Sequence, residues 1–196
     1  WPKSWKVMKF IYKNRNQFKC VIWNHEVWLT KYLNWDKYEN ELFSKMKEKF
    51  SKHPKILDFF NNLPLFIESK DFIVLHWWLD PSKSMNNHSI DEIVNIRLVN
   101  EKPWYEQYKW KKKIIYGHWA LNGLTITNNT VGLDTGCVYG WALTAYILET
   151  NEIYSQPALD IYQDIYSKIK KICLFQRLLK NTLKFQWFLW GMDCIA

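Results

Sequence analysis

Apolar residues along this chain fall into two rhythms. At positions 5, 8, 11 and 12 they recur at helical spacing behind Pro2, which predicts an amphipathic helix within residues 1–14. Glu26 to Leu33, the charge-laced stretch Lys37 to Phe50, and Lys55 to Asn61 read as further helices, the last ended by Leu63-Pro64-Leu65. Elsewhere the apolar runs are short and unbroken, as in buried strands. Phe18 to Ile22 is one; Phe66-Ile67-Glu68 and Asp71 to Leu75 make a hairpin about Ser69-Lys70. Ile114-Ile115-Tyr116 is another, Thr125 to Val138 is strand-rich, and Ala142 to Glu149 is a strand or edge. Between them Trp77 to Pro81 is a loop, and Ser89 caps a helix predicted to reach Val99, with Asp91 and Glu92 in its first turn. No internal repeat is present.

Four of these apolar runs end in a polar residue on a turn: Asn24-His25-Glu26, His76, Gly117-His118, and Asp134-Thr135-Gly136. In open α/β sheets the carboxyl edge is where ligands and metals are held. Each signal alone has a plainer explanation. A lone His76 on an apolar strand would ordinarily be a satisfied core histidine, and Asp134 would shape its loop through backbone hydrogen bonds. His53 and His88 read as surface residues.

Composition narrows the classes. With 196 residues, 48% of them apolar, the chain suits one domain with a real core. No apolar run reaches the roughly 18 residues of a membrane span, and no signal-peptide pattern opens the chain, so a cytoplasmic protein is expected. Cys20, Cys137, Cys173 and Cys194 show no metal or disulfide spacing, and Cys20 and Cys137 read as buried strand thiols. The net charge of +8 is carried mostly by lysine, without the arginine cluster of a specific nucleic-acid binder. From Pro157 the composition shifts. Lys168, Lys170, Lys171, Arg177, Lys180 and Lys184 alternate with apolar residues and meet no acid before Asp193. This predicts a basic amphipathic helix, docked on the domain or touching an acidic surface through 168–190. The expected division is therefore residues 1–154 as the main domain and 155–196 as a basic tail. The oddest feature is 13 tryptophans against 6 glycines, an inversion of ordinary usage, in which glycine is about 7%.

Taken in order, Asn24-His25-Glu26, His76 with Leu79-Asp80-Pro81, Gly117-His118-Trp119, and Asp134-Thr135-Gly136 resemble the calcineurin-like metallophosphoesterases. Within them they are similar to the branch of bacterial serine/threonine phosphoprotein phosphatases and symmetrical diadenosine-tetraphosphatases. The resemblance covers roughly residues 1–154. It implies an α/β fold, a two-sheet β-sandwich flanked by helices, and a metal-dependent phosphoester hydrolase with a dinuclear centre, in which a metal-activated hydroxide attacks phosphorus. It implies two divalent ions, manganese foremost, with iron, zinc or nickel as alternatives. Matched by position, Asn24, His76 and His118 correspond to ligands of one metal. His25 corresponds to the acid that protonates the leaving oxygen, with Glu26 its neighbour in the motif, and Arg97 matches loosely an arginine that grips phosphate. The implied substrate is a phosphorylated protein or a dinucleoside polyphosphate. The alternative is a catalytically inactive relative that binds phosphate or a nucleotide.

The chain departs from the family in two ways. The motifs Gly-Asp-x-His-Gly and Gly-Asp-x-x-Asp-Arg-Gly, which supply the other metal's ligands and the bridging aspartate, are absent, and no aspartate precedes Asp36. Trp1-Pro2 falls where the second motif's last glycine and a proline would stand, so an amino-terminal truncation is expected, leaving a chain not competent as a two-metal hydrolase. Second, Trp1, Trp23, Trp77, Trp78 and Trp141 stand where the family has glycine, and Trp35 and Trp110 sit in turn-like contexts. Glycine suits such turns because they need positive φ or close backbone approach. The expectation is that these seven are glycines encoded by UGA and read here as tryptophan. Trp104 and Trp119 fit as real tryptophans; Trp5, Trp28, Trp187 and Trp190 carry no sign either way. The rival is that the tryptophans are genuine and Trp77-Trp78 forms an aromatic platform for a base.

Overall fold

The computed structural model describes residues 3–35, 41–95, 98–99 and 102–165. The order is α1 (Ser4–Lys13), α2 (Asn24–Trp35), α3 (Glu41–Lys52), α4 (Pro54–Asn61), β1 (Phe66–Glu68), β2 (Phe72–Leu75), α5 (Ile90–Asn95), β3 (Leu98–Val99), β4 (Lys102–Pro103), α6 (Trp104–Gln107), β5 (Lys113–Tyr116), β6 (Thr125–Ile126), β7 (Thr130–Gly132), β8 (Ala142–Tyr146) and β9 (Ile153–Pro157). One sheet has the order β1-β2-β5-β7-β6; β3–β4 and β8–β9 are two-stranded ribbons. In the main sheet β2, β5 and β7 are mutually parallel, while β1 and β6 run antiparallel at the edges. The architecture is α/β, as the sequence predicts.

The burial pattern explains the layers. Strands β2 and β5 are four-residue, mostly apolar runs that bury Ile73, Leu75, Ile114 and Tyr116. A parallel strand needs cover on both faces, which selects such runs. Helices α1 to α4 form a second core from Met8, Leu29, Met46, Phe50, Ile56 and Phe60. Ile22, Val27, Ile93 and Val94 make a third cluster where α2 meets α5. At ~25 cal/mol per Å2 of apolar surface, each fully buried side chain of this kind contributes roughly 1.5–3 kcal/mol.

Several expectations need correction. Phe18 to Ile22 is not a strand. Val21 and Ile22 are buried, but the segment's backbone meets the rest of the fold through Ile22 N–H to Pro64 O at 2.9 Å. Without a neighbouring strand, an apolar run has burial but no ladder. Cys20 and Cys137 are free and partly exposed rather than buried in strands; Cys137 opens a single 3-10 turn, Cys137–Tyr139. The helix at Ser89 ends at Asn95 and Leu98–Val99 is extended. Its start is as predicted: Ser89 N–H donates to Glu92 at 2.7 Å and Glu92 N–H donates back to Ser89 Oγ at 3.2 Å, a reciprocal capping box. Strand β9, not foreseen, pairs along its whole length with β8 and runs across residue 154. Residues 168–190 and Arg97 lie outside the described residues.

Candidate active site at the carboxyl ends of the parallel strands

Parallel pairing of β2 with β5 aligns Val74 with Ile115, so the residues just past each strand emerge side by side. These are His76 and Gly117-His118. Gly117 N–H donates to His76 O at 2.8 Å and ties the two strand ends together. The imidazoles meet directly: His76 Nε2 lies 2.8 Å from His118 Nδ1, with the rings nearly perpendicular at 81°. One nitrogen carries the hydrogen, and the tautomer decides which.

His118 has φ of 76°. Left-handed backbone on a residue with a Cβ costs on the order of 1–3 kcal/mol and clusters at functional sites. Here it turns the chain sharply off β5 and aims the ring at His76. His76 is buried, at 6% exposure. Its pKa is held well below the ordinary histidine value by burial first, then by His118 and His25, so its imidazole is neutral at physiological pH, the form that binds metals.

The third contributor is the amino terminus of α2. Trp23 N–H donates to Glu26 Oε2 at 3.2 Å and Val27 N–H to Trp23 O at 3.2 Å, which starts the helix and places Asn24 and His25 in its first turn. Asn24 is buried, at 2% exposure. His25 is half-buried, with its ring edge on Trp28 at 5.2 Å. Glu26 is partly exposed as a residue, but its carboxyl is enclosed. Burial pushes its pKa up to about 7 against the two backbone N–H groups that lower it. The thiol of nearby Cys20 is pushed up by burial and then by Glu26.

Asp134 closes the site from β7. Its Oδ1 accepts Gly136 N–H at 3.2 Å, the loop-shaping role expected of it, and burial raises its carboxyl pKa. The turn needs glycine at Gly136 (φ 67°) and Gly140 (φ 85°), the left-handed ends of the 3-10 turn.

Could these residues hold a metal? Among the described residues no group of three or more His, Cys, Asp or Glu is placed to hold one. The donors that do converge are two imidazole nitrogens. Their 2.8 Å separation is slightly less than the ~3.0–3.4 Å of two nitrogens sharing an ion at ~2.1 Å. A small parting of the rings would fit an ion between the two nitrogens. The two imidazoles alone fit part of one metal's coordination.

His53 is on the surface, as predicted. His88 is not. It is buried at 6%, where Nε2 accepts Asp80 N–H at 2.8 Å. Nδ1 therefore carries the hydrogen and faces the Ser84 and Met85 carbonyls at 3.0 and 3.2 Å. It is a loop staple, a role nothing in its sequence neighbourhood signals. Sequence reasoning also missed that the Trp23 ring stacks on His76, 5.6 Å away and 15° from parallel.

The tryptophans divide. Among the described residues only His118 and Asn151 combine a side chain with positive φ, so the left-handed backbone expected at Trp23, Trp77, Trp78, Trp110 and Trp141 is not found. Trp77 and Trp78 are buried at 0% and 4% exposure, which rules them out as an open base platform. Their indole N–H groups have no acceptor, and neither does that of Trp104. Trp110 differs: its Nε1 donates to Pro81 O at 2.9 Å. Trp1 lies outside the described residues.

No protein-family model matches the chain. Curated proteins match over a limited stretch. A symmetrical bis(5'-nucleosyl)-tetraphosphatase of Vibrio parahaemolyticus is 39% identical over 61 residues, 30% of this chain and 23% of that protein. The enzyme so named in Coxiella burnetii is 43% identical over 63 residues, covering 29% and 21%. That of Aliivibrio fischeri is 34% identical over 83 residues, covering 41% and 27%. The chain thus spans roughly a quarter of the length of the relatives it matches. In three dimensions it is similar to the crystal structure of a protein provisionally described as a diadenosine tetraphosphatase, with a TM-score of 0.63, 23% identity, and coverage of 79% of this chain and 74% of that one. That likeness shows that the two chains share a fold. Over the matched stretches the chain is similar in sequence to symmetrical bis(5'-nucleosyl)-tetraphosphatases.

Proposed function

We propose that this chain carries the histidine half of a metal-dependent phosphoester hydrolase acting on dinucleoside polyphosphates. The observation that supports it is the pairing of His76 with His118 at adjacent parallel strand ends, with His25 near enough to His76 to disfavour its protonation. Relatives named for a dinucleoside tetraphosphate favour that substrate over a phosphoprotein. In this reading His76, His118 and Asn24 hold one divalent ion, manganese foremost. A bound divalent ion lowers the pKa of its water and neutralises phosphate charge. The protein's own contribution is to keep His76 neutral and dry, to lock the His118 ring by its backbone twist, and to hold His25 at the helix start, where it can protonate a leaving oxygen. Glu26 fixes that helix start through the Trp23 N–H.

A second reading, a non-hydrolysing binder of phosphate or nucleotide, is favoured by the absence, among the described residues, of three or more His, Cys, Asp or Glu grouped to hold a metal. The two separate cleanly. The full-length protein with manganese should hydrolyse diadenosine tetraphosphate to two nucleoside diphosphates, and His25→Ala should lower turnover by ~10²–10⁴-fold with metal binding retained. Manganese binding that depends on His76 and His118, without hydrolysis, would establish the binder.

We also propose that positions 23, 77 and 78 are glycine in the protein the cell makes. The Trp23 ring lies over His76, and the buried indoles of Trp77 and Trp78, which follow His76 in the chain, lack any acceptor. The satisfied indole of Trp110 supports tryptophan at that position.

A further inference from the structure

The first 25 residues contain six cations, Lys3, Lys6, Lys9, Lys13, Arg15 and Lys19, and no acid; the first is Glu26. All six are exposed. Helix α1 buries Met8 against the helical core, which turns the opposite face to solvent. That face is not simply polar. Val7 is 54% exposed and Phe10 59%, and Phe10 packs against Phe18, itself 40% exposed, at 5.7 Å. Beyond Phe18 a groove of about 740 Å3 runs between the end of α1 and α4, with Arg15, Lys19 and Lys55 on its walls and Asp58 as its one acid.

We propose that this face docks on an anionic lipid surface. A solvated lysine face has no need of phenylalanines at its centre. A helix with aromatic and aliphatic residues flanked by lysines is suited to the headgroup boundary, where the rings enter the acyl edge and the ammonium groups stay in the phosphate layer. The charge is complementary to such a surface and concentrated on α1 and the segments flanking it. The groove beside Phe18 is wide and cationic enough to accept a headgroup phosphate. The inference is independent of the hydrolytic reading, since none of these residues belongs to the histidine site.

The test is flotation of the full-length protein with phosphatidylcholine vesicles, with and without phosphatidylserine. Binding should require phosphatidylserine and fall steeply between about 0.1 M and about 1 M salt, as the Debye length shrinks from ~10 to ~3 Å. Near an anionic surface each lysine is worth about fivefold in partitioning, so K6E/K9E/K13E should lose on the order of 10²-fold or more. Phe10→Ser should weaken binding without altering the salt slope. The control K70E/K109E/K111E makes the same charge change on exposed lysines elsewhere and should bind nearly as the parent does. Thermal melts establish that each variant folds. Equal loss in both triple variants, binding to phosphatidylcholine alone, or displacement of the protein from vesicles by RNA at equal charge would overturn the proposal.

Discussion

Replacing Trp77 and Trp78 together by glycine discriminates between two accounts of this protein with opposite signs. Trp77 is fully enclosed, with ring centroids of Tyr116, His118 and Trp119 at 5.6, 5.6 and 5.4 Å. Trp78 packs edge-on to His88 at 5.8 Å. If these indoles are the residues the fold evolved around, truncating each costs about 3–5 kcal/mol for lost burial and the cavity left behind. Glycine adds roughly 0.5–1 kcal/mol of backbone entropy. Against this, each indole N–H is buried without an acceptor, and removing it returns ~1–3 kcal/mol. The net for the pair is a loss of about 5 kcal/mol, a third or more of the ~5–15 kcal/mol by which domains are stable. At ~2–4 °C per kcal/mol for a chain of this size, the melting temperature would drop by roughly 10–20 °C.

If the cell inserts glycine at 77 and 78, the outcome reverses. The glycine chain melts cooperatively, at or above the temperature of the tryptophan chain, and Trp23→Gly added to it uncovers His76 and strengthens manganese binding by roughly tenfold or more, a gain of about 1.4 kcal/mol. Circular dichroism melts of the two chains, with titration calorimetry for manganese, read both quantities. A cooperative tryptophan chain whose double glycine variant loses ~5 kcal/mol would refute the glycine assignment. Reading the codons of the gene at 23, 77 and 78 supplies an independent check: UGG at all three is incompatible with it.

Three further outcomes follow from the geometry. His88→Ala should destabilise by about 1–3 kcal/mol, because the Asp80 N–H and two carbonyls lose their buried partner; chemical denaturation measures this, and manganese affinity should not move. His118→Val should cost about 1–2 kcal/mol more than His118→Asn, since a β-branched residue resists a φ of 76° that asparagine tolerates; equal losses in denaturant would mean the twist is not strained. The Glu92 carboxyl is lowered from 4.5 to about 2 by Lys83 at 2.7 Å and by Ser89. A carboxyl whose folded pKa lies below its unfolded one stabilises fully above 4.5 and loses that contribution as pH falls towards 2. Melts from neutral pH to pH 2 should therefore show a steeper acid decline for the parent than for Glu92→Gln, and parallel curves would contradict the pairing.

Much of the architecture was legible because its signals are local. The hairpin at Ser69-Lys70, the capping box at Ser89, and the apolar runs of β2 and β5 each declare themselves within a few residues. What failed depends on partners. Phe18 to Ile22 has strand composition, yet a strand exists only where a neighbour offers a ladder, and here the segment bonds to Pro64 instead. His88 looked like a surface residue because its three backbone partners become visible only once the Asp80 loop is folded. The short helix after Ser89 ended early for a similar reason: the chain turns into the β3–β4 ribbon, an interaction that helical periodicity does not encode.

The candidate site was legible for a different reason, and the structure adds something the residues alone could not. Strand ends can be read from sequence, but that His76 and His118 lie on adjacent strands depends on β5 pairing directly with β2, across nearly 40 residues of intervening chain. Once adjacent, two neutral imidazoles need not touch. They do so because His118 accepts left-handed backbone, and a Gly117 bond to the His76 carbonyl holds that turn in place. A mere core histidine would be satisfied by any nearby carbonyl, at no conformational cost. Strain on one histidine, used to bring its nitrogen to another that burial keeps unprotonated, is the arrangement expected of a site awaiting an electrophile. The same reasoning separates the tryptophans around it. Trp110 donates its N–H to a carbonyl and belongs to the packing, whereas the Trp23 ring covers His76 and the N–H groups of Trp77 and Trp78, like that of Trp104, are buried without an acceptor. A ring laid over a site histidine at Trp23, followed by two consecutive buried donors without acceptors at Trp77 and Trp78, in a chain short of glycine, is the pattern that the glycine assignment explains.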